Sequence, residues 1–307
     1  MHEFEFIDWI RRRVGRPKGR RGVGVGIGDD LAVLRFGGRV LLIGSDMTIE
    51  GVHFTFKTAT PRQVGHKALG RCLSDCAAMA GGPLGAIVSV AVPRGFSNRV
   101  LKDVYRGMIR LGNRFDCPIV GGDTSTSRRG LVIDVCLLGA CEGNAPVLRS
   151  GARPGDILYV TGRLGGSILK KHLTFEPHIE AGRWLAQHLP LHAMIDLSDG
   201  LSSDLNHLCR ESRCGAELFE SQLARAVSPA AKTLARRTGK SPLVHALNDG
   251  EDFELLAAIG LGPEKFPPLP PHVQLLPIGR ITRSGVVELV TTDGRRKRIL
   301  PQGFRHF

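Results

Sequence analysis

Apolar positions along the chain alternate between two periods. Residues 5–13 repeat at helical spacing, and 23–27 and 40–43 are short β-branched runs that read as strands. A longer helix opens at Pro61, a residue suited to a first turn, with Val64, Ala68, Leu73, Ala77 and Ala80 along its apolar side. Strands follow at 86–92, 118–120 and 131–138, with an amphipathic helix over 98–115 between the first two. The stretch 142–155 is rich in turn residues and has no period, which places a domain boundary there. Beyond it, 157–161 predicts a strand entering a turn at Gly162, Gly165 and Gly166. Then come a helix over 179–188, a strand at 194–197, a helix over 203–210, and strands at 253–259 and 286–291, with a loop at 267–271. No repeat of 20–50 residues is visible, so a solenoid is excluded. The expected architecture is α/β (α+β) in two domains, 1–145 and 146–307.

Several apolar runs deliver an acid where they end: VGVGIG into Asp29 and Asp30, VLLIGS into Asp46, CPIVGG into Asp123, and MI into Asp196 and then Asp199. One such aspartate usually caps a helix or makes a turn. Four deliveries converging on one sheet rim would gather carboxylates that repel unless cations join them, and Mg²⁺ is the ion that bridges protein acids to substrate phosphates. Asp75 adds to the set. It interrupts an apolar helix, where an acid must either pair with a base or face a charged site. Ser202, Ser203 and Asp204 read as the cap of the next helix and not as ligands.

Charge and composition narrow the function. Forty-two Lys and Arg against 29 Asp and Glu give a net charge of +13. The segment 11–21 (RRRVGRPKGRR) and the run 295–298 carry most of the excess, and outside them the chain is nearly balanced. Neither cluster is interleaved with aromatic residues, so nucleic-acid binding is disfavoured and both are expected to be solvated surface. No apolar run reaches the ~20 residues of a membrane span. The beginning of the chain has no signal-peptide pattern, and seven cysteines without a Cys-x-x-Cys pair suit a reducing cytoplasm. The Cys72/Cys76 pair, four apart on a helix, is expected to be buried thiols. Thr238-Gly239-Lys240-Ser241 lacks the first glycine of a phosphate loop, since Leu234 stands there. The alternating Gly22, Gly24, Gly26 and Gly28 do not make a dinucleotide fingerprint.

Taken in order, GIGDD (26–30), SDMTIEGVHF (45–54), HKALGRCLSDCAAMA (66–80), GGDTS (121–125), RSGARPGD (149–156), IDLSDGLSSDL (195–205), DGEDFELL (249–256) and GFRHF (303–307) resemble thiamine-monophosphate kinase over nearly the whole chain. GGDT alone is shared with aminoimidazole ribonucleotide synthetase and selenophosphate synthetase. The GIGDD, SDxxxxGxHF and GEDFEL set is specific to the kinase. The resemblance implies an N-terminal α/β domain that dimerises through its sheet, a C-terminal α/β domain that completes the active site, and transfer of the γ-phosphoryl of ATP to thiamine monophosphate with several Mg²⁺ ions. Carried onto this sequence, it implies metal ligands at Asp30, Ser45, Asp46, Asp75, Asp123, Asp196 and Asp199. It implies nucleotide contacts at Gly121, Gly122, Arg149 and Ser198, and thiamine-phosphate contacts at His53, Glu251 and Phe304. No general base is implied, and no Ser/His/Asp or Cys/His set stands out. The chain departs from the family at Gly44, where a hydroxyl ligand is usual, at Asn248, where glycine is common, and in a shortened segment after Ser167. The alternatives are another ATP-dependent small-molecule enzyme of the same superfamily and a non-enzymatic relative associated with nucleic acid.

Overall fold

The computed structural model describes residues 3–14, 22–141, 143 and 145–304. The basic stretch 15–21 and residues 305–307 of the terminal motif lie outside them. Two sheets organise the chain. The first has the order β1-β2-β3-β6-β4-β5, formed by Val23–Val25, Ala32–Phe36, Arg39–Ile49, Val132–Cys141, Gly82–Pro93 and Ile119–Ser127 respectively. The second has seven strands in the order β13-β12-β9-β11-β7-β10-β8: Arg296–Arg298, Val287–Val290, Gly215–Phe219, Leu276–Thr282, Ile157–Val160, Leu255–Ile259 and Leu191–Asp196. The mixed α/β architecture expected from the sequence is present.

Between the sheets runs α2 (Pro61–Ala78), capped by Thr60, whose hydroxyl accepts from the Gln63 amide while the Gln63 side chain accepts from the Thr60 amide. It is buried on more than one side, against β3 and β6 of the first sheet, β8 of the second, α3 (Asn98–Arg114) and α4 (Ile179–His188). Two glycines allow α2 and α3 to approach closely: a Cβ on Gly65 would strike the Val104 carbonyl, and one on Gly107 would strike the Arg62 carbonyl. One core joins the first sheet to the near face of the second, from Leu42, Val135 and Leu73 to Tyr159 and Met194. A second core fills the far face of the second sheet under α5 (Leu201–Ser212), α6 (Glu220–Ala226) and α8 (Pro242–Asn248), with Ala231 of α7 (Pro229–Thr238) joining it. The expected helix over 179–188 is α4. Cys72 and Cys76 are buried free thiols.

Three expectations change. The expected strands at 40–43 and 118–120 are the starts of longer ones, because β3 pairs with β6 over ten consecutive residues and β5 follows β4 through GGDTSTS. Asp46 and Asp123 are therefore inside strands and not at their ends. The expected strand from 253 begins at Leu255. Residues 250, 251 and 253 have positive φ (70°, 52° and 51°), which breaks the extended run. Finally, Arg11, although partly exposed, is not solvated surface alone. From α1 (Glu3–Val14) its guanidinium reaches Glu211 of α5 with two hydrogen bonds of 2.8 and 3.0 Å.

Candidate active site

The carboxylates meet where α2 passes the end of β8. Asp30 lies in the turn before β2, Asp75 three residues before the end of α2, and Asp196 is the last residue of β8. One oxygen of each lies within 4.8 Å of the others. The Ser74 hydroxyl donates to Asp196 Oδ2 at 2.7 Å. The Arg149 guanidinium donates to Asp30 Oδ1 at 2.6 Å, while its backbone amide donates to Asp29 at 3.2 Å. Asp30 Oδ2 is buried with no hydrogen-bond partner. A buried carboxylate oxygen left unpartnered beside two more acids is costly, and a hard cation satisfies all three at once. The donor set fits Mg²⁺.

The electrostatics agree. Burial, reinforced by the fields of Asp46, Asp196 and Asp30, pushes Asp75 well above the ordinary aspartate range. Burial and Asp30 raise Asp196 to about 7, and burial with Asp30 does the same to Asp29. Asp46 belongs to this field through β3, with its carboxylate 3.5 Å from the Arg71 guanidinium.

Register separates two expected ligands from the cluster. The row Asp46, Val135, Val88, Gly122 runs across β3, β6, β4 and β5, and Val135 and Val88 point into the core. Successive residues of a strand face opposite sides, so Ser45 and Asp123 lie on the other, open face of the sheet. Both are exposed, as are Gly121 and Gly122 on the edge strand β5. Within this chain they do not converge with Asp30, Asp75 and Asp196. Asp204 acts as a cap: its carboxylate accepts from the amides of Asp199 and Gly200 at 3.2 and 3.0 Å.

Beside the cluster is a cavity of about 220 Å³ whose lining includes His53, Ser198, Asp199, Glu251 and Phe304, all named from the sequence. The end of the described chain folds onto it, with the Phe304 amide donating to the Asp199 carbonyl at 3.0 Å. Arg71, Asp249, Val52 and Ile168 also line it and were not anticipated. A signal for Arg71 existed: Lys67, Arg71 and Asp75 recur at intervals of four along α2, which places them on one stripe. Asp249 and Ile168 had no such signal, because irregular segments bring them in.

Residues 28–141 match the AIR synthase related protein, N-terminal domain. The thiamine-monophosphate kinase of Rhodopirellula baltica is 37% identical, over 99% of this chain and 97% of its own length. That of Bacillus subtilis is 31% identical over the full length of both. The chain belongs to the thiamine-monophosphate kinase family. Among solved structures, AaThiL complexed with AMPPCP and TMP superposes with a TM-score of 0.85 at 30% identity, covering 100% of this chain and 97% of that one. The superposition covers both sheets of this chain.

Proposed function

We propose that this kinase-family chain transfers the γ-phosphoryl group of ATP to thiamine monophosphate, giving thiamine diphosphate and ADP. The observation that carries this reading is the Asp30, Asp75 and Asp196 cluster next to a cavity lined by His53, Glu251 and Phe304. A solved relative at 30% identity is complexed with AMPPCP and TMP, which supports the same substrate pair here.

The acceptor is a phosphate monoester with a second pKa near ~6, largely dianionic at neutral pH. Its oxygen forms the new bond to the γ-phosphorus as the bond to the β–γ bridging oxygen breaks, and ADP leaves with that electron pair. No proton has to be removed, so the reaction calls for no general base. What the chain must supply is orientation and charge. Asp30, Asp75 and Asp196, with Asp46 nearby, would hold Mg²⁺, and Asp199 stands at the cavity to extend the set. When bound, Mg²⁺ offsets the charge of the donor and acceptor phosphates. Arg149 is the fixed cation beside the cluster and Arg71 the one lining the acceptor cavity. The acids Asp199, Asp249 and Glu251 suit a cationic heterocycle, and the Phe304 ring gives it a face. Residues 1–145 act as the metal- and ATP-binding unit, and 146–307 complete the site. A second copy covers the open face of the first sheet, where Ser45 and Asp123 lie, so that the expected roles of Ser45, Asp123, Gly121 and Gly122 would be met in a dimer. The reaction and the free thiols suit a reducing cytoplasm.

The test is ADP release with thiamine monophosphate, thiamine and aminoimidazole precursors side by side. Release that depends on thiamine monophosphate alone is expected. Equal turnover with free thiamine would sink the assignment.

A further inference from the structure

Behind the acceptor cavity, Lys67 and His172, which have no part in the proposed reaction, form a charged network with Glu251 and the His53 backbone. Lys67, on α2, has a wholly buried side chain. Its ammonium donates to the His53 carbonyl at 2.6 Å and pairs with Glu251 Oε1 at 2.5 Å, and His172 Nδ1 lies 2.9 Å away. The same His172 nitrogen lies 3.0 Å from Glu251 Oε2, and the ring tautomer decides whether it accepts from the lysine or donates to the carboxylate. The three partners come from three separate segments: the turn after β3, the 3-10 turn Lys171–Leu173, and the loop before β10. His53 and Glu251 line the cavity. The lysine does not.

Glu251 also needs external support. Its backbone φ of 52° is unfavourable for a side-chain-bearing residue, and Phe253 repeats the strain at 51°. The neighbouring acids brace the same loop against the wall of the cavity. Asp252 accepts from the Gly165 amide and the Ser167 hydroxyl. Glu254 accepts from the Thr161 hydroxyl and pairs with Lys171 and His178. Those contacts stay within the C-terminal half, whereas Lys67 ties Glu251 to the N-terminal half. A buried ion pair with no task can often be replaced by apolar residues at no loss of stability. This one lies under two side chains that face the acceptor.

We infer that Lys67 and His172 are positioning residues for the acceptor site, fixing the Glu251 carboxylate and the His53 segment in the geometry that binds thiamine monophosphate. The inference rests on the proposed reaction. If it holds, loss of either residue weakens the acceptor and spares the nucleotide, because the network contacts the cavity and not the metal cluster.

The experiment compares Lys67→Met and His172→Gln with the wild type in the full-length protein. Binding of thiamine monophosphate is measured calorimetrically without nucleotide, beside the KM for each substrate and kcat. Glu217→Gln is the control, since it breaks an ion pair with the half-exposed Arg280 and Arg296 on the second sheet, away from the cavity. Folded variants should lose at least about fivefold in Kd and KM for thiamine monophosphate, with the KM for ATP within about twofold and the control unchanged. A loss of less than fivefold in a folded variant, or an equal loss for ATP, overturns the positioning role. Should Lys67→Met fail to fold, His172→Gln decides by the same criterion, as it leaves the Lys67–Glu251 pair in place. Wild-type protein that does not bind thiamine monophosphate overturns both this inference and the proposed reaction. Wild-type binding with unaffected variants overturns the inference alone.

Discussion

Asp75 shows most clearly how one side chain can oppose folding and serve chemistry. It is buried among Asp46, Asp196 and Asp30, so without a cation its charge raises the energy of the folded state. Asp75→Asn keeps the shape and removes the charge. Turnover is expected to fall by about a hundredfold or more across a magnesium titration, because loss of a ligand weakens the ion that offsets phosphate charge. The melting temperature without metal should stay the same or rise. A capping or ion-paired aspartate predicts the reverse, with lost stability and an unchanged magnesium optimum, and paired melts and titrations separate the two. Glu254 is the contrasting case. Burial pushes its carboxyl up, but the hydrogen bond from His178 and the charge of Lys171 outweigh that and hold it at about 2 against an ordinary 4.5. Since the folded value is the lower one, the stabilisation is complete above about 4.5 and is lost as the pH falls towards 2. Glu254→Gln should therefore cost about 1–3 kcal/mol at pH 7, less than for a fully desolvated pair because Lys171 is partly exposed. Denaturant melts at pH 7 and pH 3 should show the gap between variant and wild type narrowing at the acid end. A gap that stays constant would contradict this account of the network.

At the scale of elements, α2 does two jobs that conflict locally. It must pack between two sheets, and it must carry Arg71 to the cavity, Asp75 to the acid cluster and the buried Lys67 to Glu251. Close approach to α3 through Gly65 and Gly107 provides the first. The balance can be tested with Gly107→Ala. Helix propensity alone favours alanine by about 1 kcal/mol. The new Cβ, however, would land on the Arg62 backbone carbonyl, which cannot swing aside like a side-chain tip, and overpacking typically costs about 1–3 kcal/mol. Sterics should win, so a net loss of stability is expected in chemical denaturation. A more stable variant would mean that the helices can separate without penalty. The loop before β10 follows similar logic: its two strained non-glycine residues persist because Lys67, His172 and the Phe175–Phe253 ring stack (centroids 3.9 Å apart) over-determine it.

On the scale of the whole molecule, the open face of the first sheet is the unfinished surface. Met47, Ile87 and Leu138 are 51%, 48% and 39% exposed there, and among the described residues no strand pairs with the outer edge of β5. A face of this kind calls for a cover, and a self-complementary second copy is the simplest one. Light scattering at micromolar concentration should give the mass of a dimer. Ile87→Arg, which places a charge in the middle of the face, should shift it to the monomer and reduce turnover with it if Asp123 and Ser45 act within the pair. A wild-type monomer with full activity would remove the dimer from the mechanism. The described residues hold no helix long and apolar enough to cross a membrane.

Much was readable from the chain itself. Helical and alternating periods gave α2, α3, α4 and most strands of the first sheet, because those elements bury one face and must repeat at their own pitch. The short helices α6 and α8 and the strands β2, β9 and β13 were missed because so few residues show no clear period, and β11 was missed because Pro277 and Gly279 interrupt its pattern. The acids were legible too, as types at recurring places, and family motifs pointed to the residues now found around the cavity. Which acids meet was not legible. Asp46 and Asp123 follow apolar runs of the same kind, yet one faces the core and the other the open side. In a sheet a single residue of register exchanges the two faces, and register is fixed by pairing with β6 and β4, far away in sequence. Lys67 likewise reads as one more polar residue on a helix until the fold brings His53, His172 and Glu251 around its ammonium. Local sequence decided which chemistry the chain carries. Tertiary structure decided what each group faces, because that depends on contacts between separate segments, as far apart as Asp75 and Asp196 or Lys67 and His172.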